Sequence, residues 1–347
     1  MQFYQLESTA ILQQHLTHCY QIYQRIDDLE GDAHWQVAAT DQATTDQATS
    51  INERLPISSP KGLFFGDREN LFSFDGTAFR ETIPAPAPFA LFGVQSCDLT
   101  AIAYQDNFFV DDPYYQARRQ QALLIGIDCL NPCEHGFCHR VDAGPGVAAE
   151  CADIILHRQP SGNWLLLVSS DKGEEALQGL TLPAADSNAL TERKNQLDHC
   201  VQQFDDSQTI DQGIEILLTQ NIDEEFWQQA GIQCLSCSGC TSLCPTCSCY
   251  GTQDLADDEG NIVQQRFWDS CLYESFQREA SQHNPSAQAG ARLQRFWTHK
   301  FSPQTTAQFG RHGCVGCGRC EQTCPGVIGA HSIMKRLIAH QESRKLC

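Results

Sequence analysis

Nineteen cysteines in 347 residues are the chemistry-bearing feature of this chain, and their spacing selects the chemistry. Cys234, Cys237, Cys240 and Cys244 precede Pro245, and Cys314, Cys317, Cys320 and Cys324 precede Pro325 in the same pattern. C-x2-C-x2-C-x3-C-P is the bacterial-type [4Fe–4S] signature: three close thiolates hold one cube and the fourth cysteine reaches the other cluster. The pattern assigns Cys234, Cys237, Cys240 and Cys324 to one cluster, and Cys314, Cys317, Cys320 and Cys244 to a second. Small residues at Ser236, Ser238, Gly239, Gly316 and Gly318 suit loops whose amides turn toward sulfur. Structural zinc pairs Cys-x2-Cys units across wider gaps, and disulfides belong to oxidising compartments.

Eleven cysteines lie outside these runs. Cys247, Cys249 and Cys271 flank the first run, either as small buried residues packing near it or as part of an extra ligand set. An amino-terminal group, Cys97, Cys129, Cys133 and Cys138, matches no standard spacing. It is either a third Fe–S site or a set of buried thiols. Cys19, Cys151, Cys200 and Cys347 read as ordinary thiols. His135 and His139 are spaced i, i+4, but a Cys/Gly-rich loop gives them no helix to pair on. The sequence contains no G-x-G-x-x-G, P-loop, G-x-S-x-G or H-E-x-x-H pattern, so nucleotide binding and hydrolase chemistry are not indicated. A [4Fe–4S] cube moves one electron and NAD(P)H delivers two, so hydride chemistry would require a flavin on a partner.

The length predicts about two domains. Residues 1–205 read as a mixed α/β domain. Tyr4–Ile26 has helical spacing, and Gly62–Phe65, Leu71–Phe74, Phe89–Val94, Ala122–Ile127, Ile154–His157 and Trp164–Val168 are short apolar runs between turn residues, which predict strands. Asp98–Tyr104, Pro113–Gln120, Glu174–Leu180 and Asn188–Phe204 predict helices. The near-tandem ATDQ stretch at 39–50 is a low-complexity insertion. Residues 206–347 read as a mostly α-helical, two-cluster ferredoxin-like domain, with helices at Asp211–Gln220, Glu224–Ala230, Gln264–Ala280, Ala289–Trp297 and Ile328–Ala339.

Charge divides the chain similarly. Residues 264–347 hold 11 basic against 5 acidic residues, and residues 1–263 hold 12 against 38. The overall charge of −20 argues against nucleic acid, whose phosphates recruit Lys and Arg. No apolar run approaches the ~20 residues of a membrane helix, and Met1–Glu7 shows no signal-peptide pattern. A cytoplasmic location is expected. Arg311, Arg319, Lys335 and Arg336 flank the second run, where positive charge would raise a cluster's potential; Arg319→Gln is expected to lower it.

The eighty-position offset from Cys234 to Cys314 resembles the spacing of alpha-helical ferredoxin domains in multisubunit oxidoreductases more than that of small ferredoxins. The series Cys244-Pro-Thr-Cys247-Ser-Cys249-Tyr250, Phe267-Trp268-Asp269-Ser270-Cys271, His299-Lys300-Phe301 and Cys314-Val-Gly-Cys317-Gly-Arg319-Cys320 is more distinctive. With Lys61–Phe65, Phe92–Leu99 and Asp112–Tyr115, it resembles the family that unites cytoplasmic sulfhydrogenase beta subunits with the corresponding iron–sulfur component of anaerobic sulfite reductase. The resemblance covers nearly the whole chain outside 39–50. It implies a non-catalytic iron–sulfur subunit between a flavin, NAD(P)-binding partner and a catalytic partner, either a [NiFe] hydrogenase or a siroheme sulfite reductase. Phe64-Phe65 and the Cys97 region favour the hydrogenase branch. An enzyme with a substrate-accessible third cluster, and a redox sensor, are the alternatives.

Overall fold

The computed structural model describes residues 2–27, 33–38, 55–204, 209–219, 221–256, 258 and 260–345; the 39–50 repeat and Cys347 lie outside them. The chain opens with β1 (Gln2–Leu6), α1 (Thr9–Leu16), β2 (Gln21–Asp27) and β3 (Ala33–Val37), followed by β4 (Arg68–Phe74) and β5 (Phe79–Glu81). Next come β6 (Phe89–Gln95), α2 (Ser96–Phe108), α3 (Pro113–Gln121), β7 (Ala122–Ile127), β8 (Ile154–Arg158), β9 (Trp164–Val168), α4 (Asp171–Ala176) and α5 (Asn188–Gln202). A seven-stranded sheet runs in the order β1-β9-β8-β7-β6-β2-β3. Its centre, β2-β6-β7-β8, is parallel and its flanks are antiparallel.

Helices cover both faces, which is why β6, β7 and β9 read as nearly continuous apolar runs. Leu91, Leu124, Ile155 and Leu167 face one core with α2 and α3. Phe92, Ile125, Leu156 and Leu166 face the other with α1. The period of two is therefore written into runs that look continuous in the sequence.

The opening Tyr4–Ile26 stretch is not one helix. Gln21–Gln24 pair in parallel with Phe89–Phe92, and that pairing overrides the local helical spacing. Gly62–Phe65 is not a strand either. Pro60 opens a 3-10 turn over Pro60–Leu63, which buries Phe64 and Phe65 together in the core.

The remaining elements are α6 (Thr209–Thr219), α7 (Glu224–Gly231), α8 (Gly239–Ser242), β10 (Tyr250–Ala256), β11 (Ile262–Trp268), α9 (Ala289–Phe301), α10 (Pro303–Phe309), α11 (Arg319–Thr323) and α12 (Ala330–Lys345). The expected helix at Gln264–Ala280 is instead β11 followed by a 3-10 turn at Glu274–Gln277. The second half is therefore helical with one β-hairpin. The hairpin completes a four-stranded sheet, β10-β11-β4-β5, with strands from the first half. Arg266 on β11 is buried there and ion-paired with both Glu69 of β4 and Asp112.

A third core joins the halves. Cys97, Ala101 and Phe137 pack with Trp227, Trp297, Val315 and Met334, and most of the motif cysteines border this cluster. Among the described residues no helix is long and apolar enough to cross a membrane.

Candidate iron–sulfur centres

Both cysteine runs have the same backbone. Ser236 and Ser238 are left-handed (φ 50° and 61°), and so are Gly316 and Gly318 (φ 62° and 76°) at the equivalent positions. Left-handed residues set between successive cysteines turn amides inward and form anion-binding nests. The Gly316 N–H accordingly donates to Cys314 Sγ at 3.4 Å. In the first run serines occupy these positions, at a cost of about 1–2 kcal/mol each. The second run needs glycine for a further reason. A Cβ on Gly316 would lie 2.6 Å from the Cys138 nitrogen, and one on Gly318 would lie 2.4 Å from the His135 carbonyl oxygen.

The short helices α8 and α11 begin directly after these loops and carry Cys240 and Cys320 in their first turns. They pack together, with Thr323 beside Gly239. The turn at Gly326 presses on the Gln233 carbonyl, where a Cβ would come within 2.2 Å. Cys324 is thereby brought to the other run: Cys234, Cys237, Cys240 and Cys324 line one cavity, walled by Leu272, Leu293, Phe296, Trp297 and Ile328. Burial pushes the Cys240 thiol up to about 12, with further contributions from Cys324, Cys234, Cys244 and Cys237.

Cys244 goes the opposite way. Burial raises Cys320 well above the ordinary thiol range, and the nearby sulfurs adding to it are Cys314, Cys317 and Cys244. Cys314 is pushed up to about 12 by burial, against the lowering effect of the Gly316 amide. Buried thiols that penalise one another's ionisation suit a guest that brings positive iron and takes thiolates. Both four-sulfur sets supply the donor type that a [4Fe–4S] cluster takes.

The basic residues flanking the second run are differently placed. Arg319 is buried, but its two terminal nitrogens donate to Asp98 Oδ1 and Oδ2 at 2.7 and 2.8 Å, and its Nε donates to the Pro56 carbonyl at 2.8 Å. Its charge is paired within the fold; burial raises the Cys317 thiol, and the Arg319 charge is the largest effect opposing that rise. Arg311 donates to the carbonyls of Val141 and Asp142, Lys335 is exposed and Arg336 is half-buried. Among the described residues, the cation hydrogen-bonded to a motif sulfur is Lys300, whose Nζ lies 3.4 Å from Cys244 Sγ and donates to Thr246 Oγ1 at 2.8 Å. Lys61 Nζ donates to the carbonyls of Thr241, Cys244 and Cys247 at 3.2, 3.0 and 3.2 Å. Cysteine spacing marks neither lysine. Both stand only in the family-like series Lys61–Phe65 and His299–Phe301.

The other cysteines form two groups. Cys247 hydrogen-bonds Cys244, and Cys249 hydrogen-bonds Cys271. The Cys271 contact holds the Cys249 thiol down at about 6 against desolvation, with help from the Lys300 and Arg295 charges. In the first half, Cys97 opens α2 at the end of β6, and Cys129 follows the end of β7, the neighbouring parallel strand. Burial dominates the raised thiol of Cys129, and Cys133, Cys138 and Cys200 add to it. Cys138 is likewise pushed up to about 12 by burial, then by Cys133 and Cys200. Cys200, ordinary by sequence, is fully buried with this group. Cys97 is near Cys138 but also faces Cys317. His139 packs against Phe204 with ring centroids 4.3 Å apart and planes tilted by 39°, and the His135 carbonyl accepts from His331 Nε2 at 3.1 Å. These histidines support the loop.

A family model for a 4Fe-4S dicluster domain matches residues 233–328. The sulfhydrogenase 2 subunit beta of Pyrococcus furiosus is 31% identical over 287 residues, which are 80% of this chain and 82% of the relative. No solved structure matches the chain. Matching length, cysteine architecture and identity together place the chain in the sulfhydrogenase beta-subunit family, as an iron–sulfur protein with a 4Fe-4S dicluster domain.

Proposed function

We propose that this chain is a cytoplasmic electron-transfer subunit that holds two [4Fe–4S] clusters, one on Cys234, Cys237, Cys240 and Cys324 and one on Cys314, Cys317, Cys320 and Cys244. It relays electrons between a flavin, NAD(P)-binding partner and a catalytic partner of the [NiFe] hydrogenase type. The observation that supports this reading is that Cys324 lines one cavity with Cys234, Cys237 and Cys240, while Cys244 lies near Cys314, Cys317 and Cys320. Bound there, each cluster supplies reversible one-electron chemistry.

The chain's own residues do three things. The left-handed loops aim amides at sulfur, the apolar wall from Leu272 to Ile328 backs the inner side of the first site, and the surface offers a point of contact. Cys237 is exposed, and Ile232, Leu235 and Val327 beside this site are 83%, 69% and 59% exposed. Exposed apolar side chains around a redox site suit close approach by a partner's cofactor.

The gathering of Cys129, Cys133, Cys138 and Cys200 favours a second reading, a third cluster in the first half. Iron analysis separates the two, with about eight irons per chain for two clusters and about twelve for three. Anaerobic affinity purification from the native host tests the partners. Flavin and nickel in the complex support the hydrogenase reading. Siroheme keeps the relay and moves the catalytic partner to a sulfite reductase. A chain isolated alone with all its iron overturns the relay.

A further inference from the structure

Two buried ammonium groups converge on one side of the second site, and no carboxylate is paired with either among the described residues' ion pairs. Lys300 and Lys61 are 4% and 5% exposed. Lys300 lies in the last turn of α9, and Lys61 comes from the 3-10 turn of the first half. Thr246 donates its hydroxyl hydrogen to the Gly313 carbonyl at 2.7 Å, so its oxygen can only accept from Lys300. The ammonium is thus fixed in orientation, with a further hydrogen directed at Cys244 Sγ, 3.4 Å away. Lys61 sits one layer behind, on the carbonyls of residues 241, 244 and 247, with its Nζ 4.3 Å from the centroid of the Trp268 ring.

Burying an ammonium without an anion is expensive. The acceptors in reach here are a hydroxyl, carbonyls, an aromatic face and sulfur, and only sulfur can carry the compensating charge. The side-chain nitrogens of Arg319, between Cys317 and Cys320, instead donate to the Asp98 carboxylate and the Pro56 carbonyl, so its charge is shared with a buried anion.

We infer that Lys300, supported by Lys61, is the residue that holds up the reduction potential of the second cluster. This rests on the two-cluster reading above. Reduction adds an electron to an anionic [4Fe–4S] centre, and a fixed positive charge in hydrogen-bond contact with one of its sulfur ligands stabilises the reduced form more than the oxidised one. In a buried setting that field is weakly screened. The first site differs: the charges acting on Cys240 are other cysteines, and its cavity wall is apolar. Lys300 is a positioning residue in this role, acting on the cluster through Cys244.

The test is an EPR-monitored redox titration of the full chain with its clusters, with iron counted in the same samples. Lys300→Met lowers the midpoint of one cluster and leaves the other in place, while Lys300→Arg restores most of the shift. Equal movement of both midpoints, or no movement with about eight irons present, overturns the inference. If Lys300→Met loads only about four irons, Lys61→Met replaces it. There the same cluster shifts downward by a smaller amount, and an unchanged midpoint overturns the inference. A parent chain with no second reducible centre refutes the two-cluster reading instead, which separates the two failures.

Discussion

Asp98→Ala tests whether the halves of the molecule are locked by the buried Arg319–Asp98 pair. The side chains are 1% and 0% exposed, and the 2.7 Å ion-pair contact joins residues 221 positions apart in the chain. Deleting the carboxylate leaves a guanidinium with only the Pro56 carbonyl in a water-free setting. Breaking a buried pair from one side typically costs about 3–5 kcal/mol, a large share of the roughly 5–15 kcal/mol that holds a folded domain. Guanidinium unfolding followed by circular dichroism measures the loss. The double variant Asp98→Leu/Arg319→Met removes both charges and replaces them with apolar volume, so its cost should fall well below the sum of the single variants. A loss under about 1 kcal/mol for Asp98→Ala, or strict additivity in the cycle, would refute the lock.

Gly318→Ala adds a Cβ at 2.4 Å from the His135 carbonyl in a left-handed position; iron content should drop by about half, one cluster of two, whereas full loading would show that the loop can move away. Cys249, held down at about 6 chiefly by its hydrogen bond from Cys271, should alkylate with iodoacetamide faster than Cys271 at about pH 7, as read by peptide mass spectrometry; equal rates would contradict the paired-thiol geometry. Burial acts to raise the Asp128 carboxyl, yet His157, Arg193 and the Val147 amide together hold it below its ordinary value. The stability it supplies is therefore complete above about pH 4 and is lost as pH falls through the depressed value. An Asp128→Asn chain should show a flatter acid limb in urea unfolding, and an identical limb would exclude this carboxylate as its source.

The site was more legible in the sequence than the scaffold was. Eight cysteines at fixed offsets encode a local loop, and a local loop with left-handed turns at 236, 238, 316 and 318 folds much the same in any context. The strands β6 to β9 were legible because a doubly covered sheet demands uninterrupted apolar runs. Residues 262–268 were not. Their alternation is incomplete, and the strand exists because β4, almost two hundred positions earlier, supplies the pairing edge and Glu69 for Arg266. The Asp98 partner of Arg319 was hidden for a similar reason, being distant in sequence. Lys61 and Cys200 were likewise hidden, since each meets its site only through tertiary packing.

The central claim, two one-electron centres built on exchanged cysteines, is tested most directly by an anaerobic reductive titration of the purified full chain with iron quantified on the same sample. The account predicts uptake of about two electrons and a content of about eight irons per chain. Uptake of about one electron with about four irons, or of about three with about twelve, would contradict it.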